Sequence, residues 1–298
     1  MRTLYDLLQF FYNNNVRGFH EKDITCTKKT LLALGLAVIT SSTFAYDAQI
    51  DGGFTYTDWD DNITDTDNTL NLKGTFYFDS VQTGKGPLNE AAFLGHNSNA
   101  YLGYSYNNWE SNEVLGYEGE TETHHLTAGI EYFVDQFYIN GEIGFGQQND
   151  KATEYGQTIY DEDYDVTTYR ALVGYLPVSN LLLAVGIDGY QGDNDEDEDN
   201  RFAVKAKYVA PLNNGQYINL EADGAFGDVD SATIGADYYF DQAFSIGAAY
   251  NIVDNGAEDT DFFAIRSKYF LNPNLAIGGQ VGFGDDVQAF NINATFRF

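Results

Sequence analysis

The chain has 298 residues, 43% of them apolar and 16% aromatic, with 30 glycines and a formal net charge of -30. So acidic a surface excludes unaided binding to nucleic acid, whose phosphates demand a basic partner. A mean hydropathy of -0.35 and no long apolar run after the first segment exclude a helical anchor, but not a membrane barrel, where only alternate residues face lipid.

Residues 1–27 form an N-terminal extension, simply explained by a start site assigned too far upstream. Residues 28–45 read as a secretory signal peptide. Lys28 and Lys29 precede an apolar stretch over 31–39, and the small residues Thr43 and Ala45 precede a cleavage expected near Ala45. Cys26 lies before that stretch, so residues 46–298 contain no cysteine and need no disulfide in an oxidising compartment. Removing 1–45 takes away five Lys/Arg and three Asp/Glu, leaving a net charge of -32.

Residues 46–298 alternate with a period of two in fourteen segments, each of roughly the length of a tilted spanning strand. Ala48, Ile50, Gly52, Phe54 and Tyr56 form one face of the first; Leu70, Leu72, Gly74, Phe76 and Phe78 form one face of the second. The pattern predicts an all-β fold, a transmembrane antiparallel β-barrel of about 14 strands. Its connections alternate in character. Short turns are expected at 134–136, 177–180, 241–243 and 271–274, and longer acidic loops at 58–68, 148–165, 191–200 and 254–261. Placing the acidic side outside puts both termini in the periplasm. Of the 42 Asp/Glu after residue 45, 30 then fall in external loops, so the charge belongs to one rim. Aromatic residues such as Tyr132, Tyr175 and Phe298 at the turn side, and Tyr56, Trp109 and Phe145 at the loop side, suit two headgroup girdles. A soluble sandwich would not need aromatics at both strand ends.

The faces opposite the apolar ones would line the lumen. They carry Lys73, Arg170, Arg201, Lys205, Lys207, Arg266, Lys268 and Arg297, with the acids Asp51, Glu131, Glu142, Asp188, Glu221, Asp223 and Asp237. Lys205 and Lys207 sit on the strand beside Glu221 and Asp223, an arrangement that invites cross-strand pairing. These charges either satisfy one another or set up a transverse field that orients zwitterionic and dipolar solutes.

Fourteen strands lie between the eight of a barrel filled by its own side chains and the sixteen of one holding an aqueous channel. One inserted segment could narrow such a lumen. Two segments qualify. The first is the loop 147–165, whose Tyr155, Tyr160 and Tyr164 are the candidate constriction. The second is the long turn 81–97, in which Pro87 followed by Leu88, Ala91, Ala92 and Leu94 suits one or two helical turns; it either enters the lumen or caps it from outside.

Other chemistry is poorly supported. The run Asp193 to Asp199 lacks the central Gly and distant Glu of a calcium loop, and no metal site is expected. His96, His124 and His125 have no nucleophile, base and orienter arrangement around them. Neither a cofactor nor an enzymatic activity is expected.

Residues 74–106 read GTFYFDSVQTGKGPLNEAAFLGHNSNAYLGYSY. This resembles the second strand, first turn and third strand of the small gammaproteobacterial "putative porin" family, most strongly at KGPLNEAAFL. Weaker similarity extends through Ala203 to Tyr208 and the closing strand. The resemblance implies a monomeric outer-membrane channel of this strand number. The terminal Phe296 and Phe298 resemble the signal by which such proteins reach the barrel-assembly machinery, although many closing strands carry Gly where this chain has Asn293. The expected role is a porin passing ions and small hydrophilic solutes by passive diffusion, with cations preferred and an inserted segment as constriction, among outer-membrane lipid and lipopolysaccharide. The alternative is a non-conducting barrel acting in adhesion or surface contact.

Overall fold

The computed structural model describes residues 45–193, 198–254 and 259–298. The extension 1–27, the signal peptide 28–45 except Ala45, and positions 194–197 of the acidic run lie outside the described residues. The strands are β1 (Ala45–Trp59), β2 (Thr64–Gln82), β3 (Asn99–Ser111), β4 (Tyr117–Val134), β5 (Phe137–Glu154), β6 (Gln157–Val178) and β7 (Leu181–Gly192). They continue with β8 (Glu198–Pro211), β9 (Tyr217–Phe226), β10 (Asp230–Tyr239), β11 (Phe244–Asp254), β12 (Asp259–Asn272), β13 (Leu275–Gly284) and β14 (Val287–Arg297). Each pairs antiparallel with its neighbours in sequence, and β1 pairs with β14 from Gln49↔Arg297 to Trp59↔Val287, closing the barrel.

The period of two sets the two faces. Leu72, Phe76, Leu102, Phe145, Val173, Ile234 and Ile292 are exposed on the outside, where lipid would cover them. Such a continuous apolar surface would be a liability in water. On the inside, Thr75, Tyr77, Asn99 and Asn140 are buried.

The expected long loop at 148–165 is not a loop. β5 and β6 stay paired from Gln148↔Tyr164 to Glu154↔Gln157, turning on Tyr155 and Gly156, both at positive φ. At 18 and 22 residues these strands far exceed the roughly 9–11 residues a bilayer requires. Beyond the membrane both faces of a strand can be polar, so the alternation fades while the backbone pairing continues. The acidic segment 58–68 is likewise mostly strand, with β1 and β2 paired to Tyr56↔Asn68. The expected short turns separate β4 from β5, β6 from β7, β10 from β11 and β12 from β13.

The core gathers at the turn end. There Tyr138, Leu172, Leu176, Leu182, Ala184 and Ala203 bury one another against Phe93 and Phe133. Two further clusters, Tyr46, Tyr77, Val81 and Ala91, and Leu88, Phe270 and Ala276, surround the connection between β2 and β3.

Candidate functional site: the charged lumen and its inserted turn

The connection between β2 and β3 folds inward. Pro87 precedes a 3-10 turn over Leu88–Glu90 and a short helix, α1 (Ala91–Gly95). His96 ends α1 in the left-handed conformation, φ 51°. The segment then touches strands all around the barrel. Leu88 N–H donates to Gln242 O at 2.8 Å, and its side chain packs on Phe270 and Ala276. Phe93 packs on the cluster of β5 to β8, while His96 Nε2–H donates to Ser179 O at 2.6 Å and the ring stacks on Phe133.

Glu90 is the segment's charged anchor, 2% exposed. Its carboxylate lies 2.9 Å from Lys207 Nζ and accepts hydrogen bonds from Tyr239 at 2.5 Å and Asn89 at 3.2 Å. Burial, the largest influence, pushes this carboxyl upward. The Lys207 ammonium and the bonds from Tyr239, Lys207 and Asn89 together outweigh it and hold Glu90 below the usual carboxylate range. Arg297 on β14 is 2% exposed. It donates to Leu88 O at 2.9 Å and to Gln49 Oε1 at 2.7 Å, its guanidinium lying against the rings of Tyr46 and Phe270.

From Glu90 a ladder of charges climbs the wall. Lys207 also faces Glu221 at 3.7 Å, as their register on β8 and β9 provides. Arg266 on β12 reaches Glu221 at 2.6 Å and Asp237 at 2.7 Å. Asp188 is shared between Arg170 at 3.6 Å and Arg201, and Arg170 also holds Asp223 at 2.8 Å. Lys205 departs from the expected cross-strand pairing. Although opposite Asp223 in register, it turns to Glu131 of β4 at 3.6 Å, four strands away. Lys268 lies 4.0 Å from Asp51. Lys73 rests 3.9 Å above the Tyr101 ring, and the Tyr101 hydroxyl donates to Glu142 at 2.6 Å.

The tyrosines expected to narrow the lumen all lie on the β5–β6 hairpin. Tyr155 sits at the tip of the β5–β6 hairpin, 78% exposed. Tyr160 and Tyr164 lie along the outer part of β6, their hydroxyls in contact. The segment is thus a paired hairpin, with one register shift between Ala152 and Thr153, and not the free loop the sequence suggested. His124 lies beside Tyr104 and Tyr106 on one side of β4, His125 beside Thr127 and Thr168 on the other. Among the described residues no group of three or more His, Cys, Asp or Glu could hold a metal ion.

Sequence reasoning missed Tyr239, Asn89 and Tyr101. Tyr239 and Tyr101 are ordinary strand residues whose partners lie far along the chain, and Asn89 is a turn residue that donates both to the adjacent Glu90 and to the distant Tyr239. Only Pro87 and the apolar spacing after it signalled that the turn has structure.

Comparison with known proteins agrees with this architecture. The family model described as "Putative general bacterial porin" matches residues 27–298. No curated protein matches the chain. Among solved structures the barrel is similar to the outer membrane protein Omp33 of Acinetobacter baumannii, with TM-score 0.61 and 21% identity over 86% of this chain and 99% of that one. At that identity the likeness is one of fold. More distant are the KdgM porin in complex with disordered oligogalacturonate, at TM-score 0.40 and 11% identity over 84% and 99%, and the transport unit of the autotransporter AIDA-I from Escherichia coli. The latter has TM-score 0.43 and 12% identity over 89% and 94%. A closed fourteen-strand barrel with an apolar outside and a charged inside, matched by this model over nearly its whole length, belongs to the outer-membrane family of putative general bacterial porins.

Proposed function

We propose that the protein passes ions and small hydrophilic solutes passively across the outer membrane, through a lumen whose periplasmic mouth is narrowed by the inserted turn 83–98. The observation that carries this reading is the placement of Glu90 inside the barrel, against Lys207 of β8 and Tyr239 of β10. Above the turn, a cavity of about 520 Å³ is lined by Asp51, Lys73, Tyr101, Ser105, Glu142 and Asn293, among others. The charged and amide groups in that lining support passage of hydrated solutes. No energy coupling or cofactor is needed.

The acidic residues of the loop-side rim, among them Asp60, Asp61, Glu118, Glu154, Asp161, Glu162 and Asp163, support a preference for cations. They raise the local cation concentration at the entrance, an effect that salt screens within about 8 Å at physiological ionic strength. The reading further takes the barrel as a monomer set in lipid and lipopolysaccharide, delivered after signal-peptide cleavage near Ala45 and recognised by the assembly machinery through Phe296 and Phe298.

Planar-bilayer recording of the refolded chain in a potassium chloride gradient tests this. Unitary steps with a reversal potential on the potassium side are expected. A folded, heat-modifiable barrel that stays silent even after deletion of residues 86–95 would overturn passage and favour the adhesive role; reversal on the chloride side would overturn the cation preference alone.

A further inference from the structure

When the charges facing the lumen are matched, three are left over, the cations Lys73 and Arg297 and the acid Glu142; Arg297 is buried and spends its guanidinium on Leu88 O and Gln49. Among the described residues, Asp51, Glu131, Asp188, Glu221, Asp223 and Asp237 each have a Lys or Arg nitrogen within 4.0 Å. Glu142 has none. Its neighbour in register, Arg170, turns away to Asp188 and Asp223. Of the two leftover cations only Lys73 is exposed, with no carboxylate oxygen within 4.0 Å of its nitrogen. Its neighbour in register, Asp51, is bonded instead to Gln49 at 2.7 Å and Thr295 at 2.6 Å.

One residue separates Lys73 from Glu142. Lys73 Nζ stands 3.9 Å above the centre of the Tyr101 ring, and the hydroxyl of that ring donates to Glu142 at 2.6 Å. Tyr101 reaches from β3 to β5 across Gly129 of β4, where any side chain would collide with the phenol at 2.3 Å. The ring is therefore a shelf that holds the two charges apart. With the ring between them the ammonium and the carboxylate do not pair directly, and the gap suits a small α-amino acid with a hydrogen bond of about 2.8 Å at either end. Both groups open onto the same 520 Å³ cavity, floored by Gly52, Gly53 and Gly103 and edged by Asn71 and Ser105.

We propose that Lys73, Tyr101 and Glu142 form a subsite for small zwitterionic solutes, taking the solute carboxylate at Lys73 and its ammonium at Glu142. The inference rests on the channel reading and names the solute class it favours. A simple carboxylate meets repulsion from Glu142 and from the acidic rim, and a simple amine meets repulsion from Lys73. A zwitterion crosses the rim with no net charge and satisfies both groups at once.

Liposomes carrying the barrel test the proposal, with L-alanine as the zwitterionic probe and lactamide as a neutral solute of similar size. Alanine uptake is expected to saturate and to exceed lactamide uptake about threefold to fivefold, the scale of a partly solvated charge pair. Lys73→Met and Glu142→Gln should each bring the ratio of alanine to lactamide uptake to about one, and Lys73→Arg should largely restore it. A ratio unmoved by both substitutions while lactamide passes would overturn the subsite and leave the channel standing. Exclusion of lactamide would overturn passage instead. In that case saturation transfer from the detergent-solubilised protein to alanine reads the site directly: loss of transfer in Lys73→Met supports it, and transfer unchanged or absent in the unsubstituted protein overturns it.

Discussion

The ammonium of Lys207 lies 2.9 Å from the carboxylate of Glu90, joining β8 to the turn between β2 and β3 across the interior of the barrel. Glu90 thereby ties a short helical segment to the wall ladder of Glu221, Arg266 and Asp237. The contact is buried, so removing one partner leaves the other charge incompletely compensated.

Glu90→Gln should therefore loosen the turn. Lys207 keeps Glu221, and the amide oxygen can still accept from Tyr239 and Asn89, so the loss should be about 2 kcal/mol, below the roughly 3–5 kcal/mol of a fully isolated buried charge. Each 1.4 kcal/mol multiplies the undocked population about tenfold. Single-channel recording should register longer or more frequent open periods at unchanged barrel stability.

The pH dependence of docking follows from the same group. Glu90 is held below its ordinary value when docked, so its contribution is fully present above the undocked pKa and lost as pH falls through the docked one. Open probability should stay flat from pH 7 to about 5 and rise only below about 4, the range of an unperturbed glutamate. Glu90→Gln should remove that acidic limb, which recordings at matched ionic strength would check.

Leu88 is buried against Phe270 and Ala276 and leaves its carbonyl to Arg297. Leu88→Ala should cost about 2–3 kcal/mol through lost contacts and the cavity left behind. The cost should fall on the turn rather than on the strands. Protease cleavage within residues 83–98 should accelerate, while the heat-modified mobility of the barrel stays as before.

The outer part of the β5–β6 hairpin carries acidic residues such as Glu154, Asp161, Glu162 and Asp163 on paired strands. Shortening it by deletion of residues 150–162, with a two-residue turn in their place, should leave unitary conductance at high salt unchanged. Cation preference should fall at low salt, where the rim field extends furthest. A large rise in conductance at high salt would instead place the hairpin in the path.

The sequence by itself determined the barrel. The alternation of faces such as Leu70, Leu72 and Phe76 with Asn71, Lys73 and Thr75 is a local property, since successive side chains on a strand point to opposite sides. An observer counting such runs obtains fourteen strands, their inward charges and the short turns between them. Only the tertiary structure decided what those charges face. Tyr239 and Glu90 are 149 residues apart, and Lys205 meets Glu131 instead of the Asp223 beside it. Such contacts arise from closure of the sheet and from a turn folding into the space that closure creates, which no local pattern encodes. The polar extension of β5 and β6 was hidden for the complementary reason. Outside the bilayer neither face must be apolar, so a strand there is written in backbone hydrogen bonds and leaves no hydrophobic period to read.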